Sequence, residues 1–149
     1  MSIIDSIDEQ LVRLLAQDAR QNSEALAKQL KLSAATVRRR LRKLIRSGLL
    51  HIIGVIDPTE FGFSIAAMIA LDVDHNNIEQ VVETLAAHSE IGWISTTTGR
   101  FDIIALARFH STDSLSDFSM KVLAHIEGLK DSETFICLNV NKGRFAPLV

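Results

Sequence analysis

Arginine side chains repeat along one face of a predicted helix in the first third of the chain. Stepping about 100° per residue places Val37, Leu41 and Leu44 within about 60° of arc, as one apolar stripe. The opposite face carries one small residue and three cations: Ala35, Arg39, Arg42 and Arg46. A guanidinium can donate two parallel hydrogen bonds to a guanine edge or to a phosphate. This pattern therefore predicts a surface that contacts DNA.

Neighbouring residues extend the predicted contact surface. Thr36 lies early enough in the helix to reach a base or a phosphate, and Arg38 lies at the flank, where we expect a phosphate contact. Arg40 lies beside the apolar stripe, so we expect a structural role for it. The predicted DNA-binding set is Ser33, Ala35, Thr36, Arg38, Arg39, Arg42 and Arg46. The alternative is a solvated charged face, but the helix holds no acidic residue four positions from these arginines.

Three short helices must position this face. Apolar residues recur at helical spacing in three segments, each preceded by a residue that can cap a helix. The predicted elements are Ser6–Asp18 with a capping box of Ser6 and Glu9, Ser23–Leu30 with Ser23 as N-cap, and a third helix from Ser33 to Gly48. A helix, a short turn and an arginine-rich helix form the helix-turn-helix pattern.

After Gly48 the spacing becomes strand-like. The predicted elements are a strand-like Leu49–Ile56, a turn at Asp57–Thr59, a strand Phe63–Val73, a helix through Ile78–Leu85, strands Ile91–Thr98 and Asp102–Phe109, a helix capped by Asp113 and stopped by Gly128, and a strand Glu133–Val140. The order βαββαβ is that of the ferredoxin-like motif, a four-stranded antiparallel sheet with two helices on one face. The predicted fold class is therefore α+β.

Charge divides the chain in the same place. Residues 1–50 hold ten Lys or Arg against five Asp or Glu, a net charge of +5, and residues 51–149 hold six against thirteen, a net charge of −7. A basic segment followed by an acidic one predicts two domains with different partners. We expect a helix-turn-helix domain at 1–50, a strand linker at 51–62, a ferredoxin-like domain at 63–142 and a C-terminal tail at 143–149.

Composition and motifs exclude several other classes. With 47% hydrophobic residues the chain is not disordered, and a lone cysteine, Cys137, excludes an intramolecular disulfide framework and a multi-cysteine zinc site. The histidines lack metal-ligand spacing, and nucleophile and phosphate-loop motifs are absent, so we expect no enzyme, metal or cofactor. Met1–Asp5 lacks the basic segment of a signal peptide, and the apolar run Phe61–Leu71 is too short to cross a membrane. We therefore expect a cytoplasmic protein.

Four short segments follow one another in a fixed order: Ser23–Ala27, Leu32–Val37 followed by Arg40, Leu41 and Leu44, Gly48–Leu50, and Thr98–Asp102. In this order and at this spacing they resemble the motifs of the Lrp/AsnC family of transcription regulators. The resemblance covers about residues 3–142. It implies a sequence-specific DNA-binding regulator with a winged helix-turn-helix, a strand linker and a C-terminal effector-binding and oligomerisation domain. It also implies a homodimer built from the C-terminal sheets, which assembles into tetramers or octamers.

The resemblance further implies a small effector, commonly an amino acid, bound between C-terminal domains. The threonine-glycine turn matches the family's site motif, in which Thr98, Gly99 and Arg100 would hold a carboxylate and Asp102 an ammonium group. Thr134 joins the expected effector set by resemblance alone. The alternative for this segment is a plain hairpin turn at Gly99 with Asp102 as its cap.

A second hypothesis is a βαββαβ protein that binds RNA or a small molecule and has no DNA operator. An RNA-recognition sheet of this order needs paired aromatic residues on its central strands. Phe101 and Phe109 stand at the ends of one predicted strand, with the apolar run Ile103–Ala107 between them. That run is typical of a strand buried by helices or by a partner subunit, so the pattern favours the DNA-binding regulator.

Overall fold

The computed structural model describes residues 4–142 and 146–147, so most of the predicted tail at 143–149 lies outside the described residues. The chain divides into two compact units between Ile53 and Gly54. The first contains helices Ser6–Gln17 (α1), Ser23–Leu30 (α2) and Ala34–Arg46 (α3). The second contains strands Val55–Ile56 (β1), Ile65–Val73 (β2), Ile91–Thr96 (β3), Ile103–Phe109 (β4), Leu129–Ile136 (β5) and Ala146–Pro147 (β6), and helices Ile78–Ala86 (α4) and Thr112–Lys121 (α5).

Each of the first two helices is capped one residue earlier than the sequence predicts. Asp5 caps α1 in a reciprocal capping box with Asp8, and Asn22 caps α2. The predicted caps at Ser6 and Ser23 are wrong because these serines are already the first helical residues. A carboxylate at the start of α1 also compensates the positive end of the helix dipole, which a serine hydroxyl does not.

Arg40 of α3 joins its helix to the start of α1. Its Nη1 donates to Asp5 Oδ2 at 2.7 Å and to Asp8 Oδ1 at 2.8 Å. Asp8 is only 2% exposed, and removal of its cationic partner would leave a buried charge uncompensated. The contact fits the structural role predicted for Arg40. Beneath it lies the core of the first unit, formed by Leu11, Leu15, Leu26, Ala27 and Val37.

The second unit has the predicted α+β fold. Its four main strands are all antiparallel and lie in the order β3-β4-β2-β5, and β1 pairs with β6 in a separate two-stranded ribbon. The strands β2 and β3 run parallel to each other, as do β4 and β5, because the members of each pair are antiparallel to the strand between them. A connection between parallel strands must cross the sheet, and α4 and α5 form these two crossovers. The ferredoxin-like order is confirmed.

Alternation along β2 and β4 gives the sheet two different faces. One face packs against α4 and α5, and its buried residues are Ala67, Ile69, Leu71, Val73, Ile103, Ala107 and Phe109, with Val81, Leu85 and Phe118 of the helices. On the other face, one apolar row crosses all four strands: Trp93 pairs with Leu106, Leu106 with Met68, and Met68 with Phe135. These four residues, here named the open face, are 37–50% exposed.

A β-bulge in β3 decides which residues join the open face. Ile91 pairs with Ala107 and Trp93 pairs with Leu106, so the register shifts between Ile91 and Trp93. The extra residue is Gly92. The bulge lets Ile91 turn toward the helices while Trp93, only two positions later, turns the other way.

Several predicted boundaries in the second unit are wrong. The strand predicted at Leu49–Ile56 is confined to Val55–Ile56, and the last strand is Leu129–Ile136 rather than Glu133–Val140. The edge strand β5 carries polar residues at 130–132, so apolar alternation does not mark its beginning. The helix α5 is capped by Ser111 rather than Asp113, in a reciprocal box with Ser114, and a 3-10 helix separates it from Gly128.

The contact between Arg40 and Asp8 makes a testable prediction for stability. We expect Asp8→Ala to lower the free energy of unfolding of the first unit by about 1.5–3 kcal/mol, because it removes a buried hydrogen bond to a charged group. Asp18→Ala is the matched control, since Asp18 pairs with the exposed Arg20. We expect the control to unfold nearly as the wild type does. Hydrogen exchange of α1 and α3 amides measures the effect, and equal protection in both variants would contradict the assigned role.

Candidate nucleic-acid interface and ligand turn

Ser33 caps α3, as the sequence predicts. Its Oγ accepts the Thr36 N–H at 3.1 Å, and the two hydroxyl oxygens lie 2.9 Å apart. The cap satisfies one of the free amides that every helix leaves at its start. The hydroxyls of Ser33 and Thr36 therefore form one hydrogen-bonded pair at the beginning of α3.

The face of α3 opposite its buried stripe is exposed along its length. Val37 and Leu44 are buried, whereas Ala35, Arg39, Arg42 and Arg46 are exposed. Within the described part of the chain, no carboxylate lies within 4.0 Å of the guanidinium groups of the three arginines. Three unpaired cations on one helix face attract an external polyanion.

Arg38 differs from these three residues. Its Nη1 lies 2.7 Å from Glu24 Oε1 of α2, and both side chains are more than half exposed. An exposed ion pair of this kind contributes little to stability. A phosphate at Arg38 would therefore compete with Glu24 at low cost, and the predicted phosphate contact stays a prediction.

The connection between β3 and β4 is a closed turn with an exposed tip. The Thr97 N–H donates to the Asp102 carbonyl at 2.8 Å, and Thr97 Oγ1 donates to the Phe101 carbonyl at 2.6 Å. Thr98, Gly99 and Arg100 lie at the tip and are exposed. Gly99 has a φ of +117°, a conformation that residues with a side chain rarely adopt. The turn thus presents a short run of accessible backbone.

Asp102 anchors this turn to β2. Its N–H donates to the Leu71 carbonyl at 2.9 Å, and its Oδ2 accepts the Val73 N–H at 2.9 Å. The hydrogen bond from Val73 is the main cause that lowers the pKa of Asp102, and nearby His75 acts in the same direction. His75 Nδ1 lies 3.9 Å from Oδ1, the oxygen that Val73 does not use. The carboxylate is therefore a cap of the turn, and its role toward an ammonium group stays a prediction.

The structure does not gather all five predicted effector residues on one face. Arg100 Nη2 lies 2.7 Å from Glu133 Oε1 of β5, and its guanidinium stands 5.0 Å from the centre of the Phe101 ring. Thr134 pairs with Ile69, so it belongs to the helix-covered side of the sheet, whereas Glu133 belongs to the opposite side. A ligand at the turn of one subunit would therefore meet Arg100 and Glu133 but not Thr134.

Local sequence patterns do not identify three residues that contact the predicted site residues: Glu24, His75 and Glu133. Each lies far along the chain from its partner, so no local pattern reveals it. The register of β5 against β2 is what places Glu133 near the turn. Glu133 pairs with Ala70, and the carbonyl of the next residue, Leu71, accepts the Asp102 N–H.

Other classes of site receive no support from the described residues. Residues 4–142 and 146–147 contain no group of three or more His, Cys, Asp or Glu side chains arranged to hold a metal ion. The helices of this part of the chain are also too short or too polar to cross a bilayer.

Two family models match the chain, one for each unit. Residues 4–45 match the AsnC-type helix-turn-helix domain, and residues 66–147 match the Lrp/AsnC ligand-binding domain. The first model ends within α3, and the second includes the turn between β3 and β4. Each model therefore covers one of the two candidate sites.

Individual proteins give the same result. An uncharacterized HTH-type transcriptional regulator of Pyrococcus furiosus is 32% identical over 97% of this chain and 98% of its own. AsnC of E. coli has a TM-score of 0.85 at 22% identity, covering 94% of this chain and 95% of its own. A transcriptional regulator of Neisseria meningitidis in complex with L-Met also has a TM-score of 0.85, at 20% identity, covering 93% of this chain and 92% of its own. At these identities the two solved structures establish the fold.

Proposed function

Because the chain belongs to the Lrp/AsnC family of helix-turn-helix transcriptional regulators, we propose that it acts in the cytoplasm as a dimer or larger homo-oligomer whose DNA binding responds to an amino acid. DNA is bound by α3 of residues 1–50. The effector and the partner subunit are bound by residues 63–142, to which residues 51–62 form the linker. The observation that carries this proposal is the row of three guanidinium groups, without a carboxylate partner among the described residues, on the exposed side of an α3 that Ser33 caps.

The DNA-binding surface is defined by exposure and charge. Arg39, Arg42 and Arg46 are spaced so that they project from one side of α3, and Ala35 keeps the first turn of that side narrow. A small residue at the start of a recognition helix allows close entry into the major groove, where the first turns contact base edges. Arg38 and the hydroxyls of Ser33 and Thr36 lie beside this side of the helix and serve phosphate contacts. The alternative RNA-binding function is not favoured, since the open face carries an apolar row rather than an RNA-recognition motif.

The proposed effector site is the tip of the turn at 98–102. Exposed backbone at Gly99 and the guanidinium of Arg100 can donate hydrogen bonds to a carboxylate. The Oδ1 atom of Asp102 can accept a hydrogen bond from an ammonium group while Oδ2 keeps the turn anchored. The relative from Neisseria meningitidis, solved with L-Met, supports an amino acid as the ligand class. Thr134 would reach such a ligand only from another subunit, which is consistent with a site between subunits.

The open face supports assembly through the sheet. Trp93, Leu106, Met68 and Phe135 form a continuous apolar row that crosses every strand, and soluble monomers rarely leave such a row uncovered. A second copy of this chain is the occupant we propose, because a two-fold axis through the row pairs it with itself. Such a dimer carries two copies of α3, as a pseudo-palindromic operator requires.

A first prediction concerns DNA contact. We expect Arg39→Ala and Arg42→Ala each to weaken binding to a duplex selected from random sequence by the wild type, by about 1–3 kcal/mol if the residue reads a base. Arg13→Ala, which removes an exposed arginine from α1, is the matched control and should bind nearly as the wild type does. Fluorescence anisotropy at fixed salt measures the affinities. Wild-type binding by both α3 variants would show that the assigned face is wrong.

A second prediction concerns assembly. We expect light scattering to find at least a dimer at micromolar concentration, and Leu106→Glu to shift the protein toward the monomer, because it places a charge in the centre of the apolar row. Met120→Glu is the matched control, since Met120 is an exposed apolar residue on α5, away from the open face. A wild type that is monomeric, or a Leu106→Glu variant with unchanged mass, would contradict the proposed interface.

A third prediction concerns the effector. We expect at least one L-amino acid at millimolar concentration to raise the melting temperature and change DNA affinity, and Asp102→Asn to lose both responses. Asparagine keeps an oxygen for the Val73 N–H, so binding of DNA without ligand should remain near the wild-type level. Glu127→Gln, at an exposed carboxylate elsewhere in the unit, is the control. An unchanged response in Asp102→Asn would exclude the turn as the site.

A further inference from the structure

A concave region lies in the second unit, at the end of β3 and β4 that is opposite the turn at 98–102. Its volume is about 660 Å³, and it is bordered by the 3-10 helix Pro58–Phe61, the end of α4, Ile91 and the segment from Arg108 to His110. This volume lies within the range of small-molecule sites. Because β3 and β4 run between this region and the turn at 98–102, the two lie about 20 Å apart along the strands. The region, here named the far cavity, is therefore not part of the proposed effector site.

Arg108 lines the far cavity with a positive charge that no carboxylate of its own subunit compensates among the described residues. Arg108 is half-buried, and among the described residues no carboxylate lies within 4.0 Å of its guanidinium. Glu90 also lines the cavity, but its carboxylate oxygen Oε2 accepts the Ser89 hydroxyl at 3.3 Å, and only its backbone carbonyl bonds to the Arg108 N–H. A guanidinium beside apolar walls that has no partner among the described residues of its subunit is suited to a carboxylate ligand, which it can bind with two parallel hydrogen bonds.

Aromatic rings form another wall of the far cavity. The rings of Phe63 and His110 are stacked, with centres 4.3 Å apart and planes 20° apart. His110 Nδ1 lies 3.0 Å from the Gly62 carbonyl, so Nδ1 carries the proton that it donates to this oxygen. This hydrogen bond holds the imidazole parallel to Phe63. Ile56 and Ile91 complete the apolar lining, which favours a ligand with a flat apolar group.

We propose that the far cavity is a second ligand site, which binds a small monocarboxylate that carries an aromatic ring. Arg108 pairs with the carboxylate, and the ring packs among Phe63, Ile56 and Ile91. The proposal does not depend on the effector site at the turn, since it uses different residues at the opposite end of the strands.

The test uses phenylacetate as the probe, with the full-length protein in calorimetric titrations. We expect the wild type to bind phenylacetate, and Arg108→Gln to bind it roughly tenfold to a hundredfold more weakly, because a charge-assisted hydrogen-bonded pair is lost. We expect the wild type to bind 2-phenylethanol, which keeps the ring but lacks the carboxylate, more weakly than phenylacetate by a similar factor. Arg100→Gln is the matched control, since it removes the same group from the turn, and it should bind phenylacetate as the wild type does.

An amide NMR titration of the wild type locates the ligand without any substitution. We expect phenylacetate to shift the resonances of residues 90–92 and 108–110 rather than those of 97–102. Absence of binding, equal binding by Arg108→Gln, equal binding of 2-phenylethanol, or shifts centred on 97–102 would each overturn the proposal. Because Asp102→Asn should leave phenylacetate binding unchanged, failure of the far cavity and failure of the amino-acid site are distinguishable.

Discussion

The antiparallel pairing of β2 with β4 is the constraint on which the second unit depends. Seven consecutive residue pairs, from Ile65 with Phe109 to Leu71 with Ile103, fix the register of the two central strands. A shift by one residue would turn every buried side chain to the opposite face. The same pairing places the turn at 98–102 beside the end of β2, where Leu71 and Val73 hold Asp102. Burial of the core, exposure of the open face and position of the turn therefore have one common cause.

In the first unit the corresponding constraint is electrostatic. Arg40 is the only arginine of α3 whose guanidinium contacts a buried carboxylate, that of Asp8, and its hydrogen bonds to Asp8 and to the exposed Asp5 raise its pKa above the usual value. This contact and the apolar stripe together fix the rotation of α3 about its own axis. That rotation also determines the direction of the side chains on the opposite side of α3, so Arg39, Arg42 and Arg46 face away from the core. The direction of the three arginines proposed to contact DNA thus depends on a fourth arginine, which is not proposed to contact DNA.

How much the sequence predicts depends on the range of the interaction. The three helices, the cap at Ser33, the order of strands and helices along the chain and the exposed arginine face follow from local spacing and are seen in the structure. Contacts between distant residues are not predictable in this way. The pairs of Arg38 with Glu24 and of Arg100 with Glu133 depend on how helices and strands pack, and the sequence around either arginine does not identify its partner. The beginning of β5 is missed for a related reason, since an edge strand with polar residues gains its structure from its neighbour.

The face of the sheet on which Trp93 lies depends on the number of residues in β3 as much as on their types. The bulge at Gly92 is what allows Ile91 and Ile94 to face the helices on either side of an outward-facing Trp93. In evolutionary terms, a codon lost at position 92 leaves both isoleucines and the tryptophan on their present faces, whereas a codon lost between Trp93 and Thr96 reverses the faces on one side of the gap. Among descendants of this gene, we therefore expect length changes in β3 to concentrate at the bulge, and the remainder of the strand to vary by substitution alone.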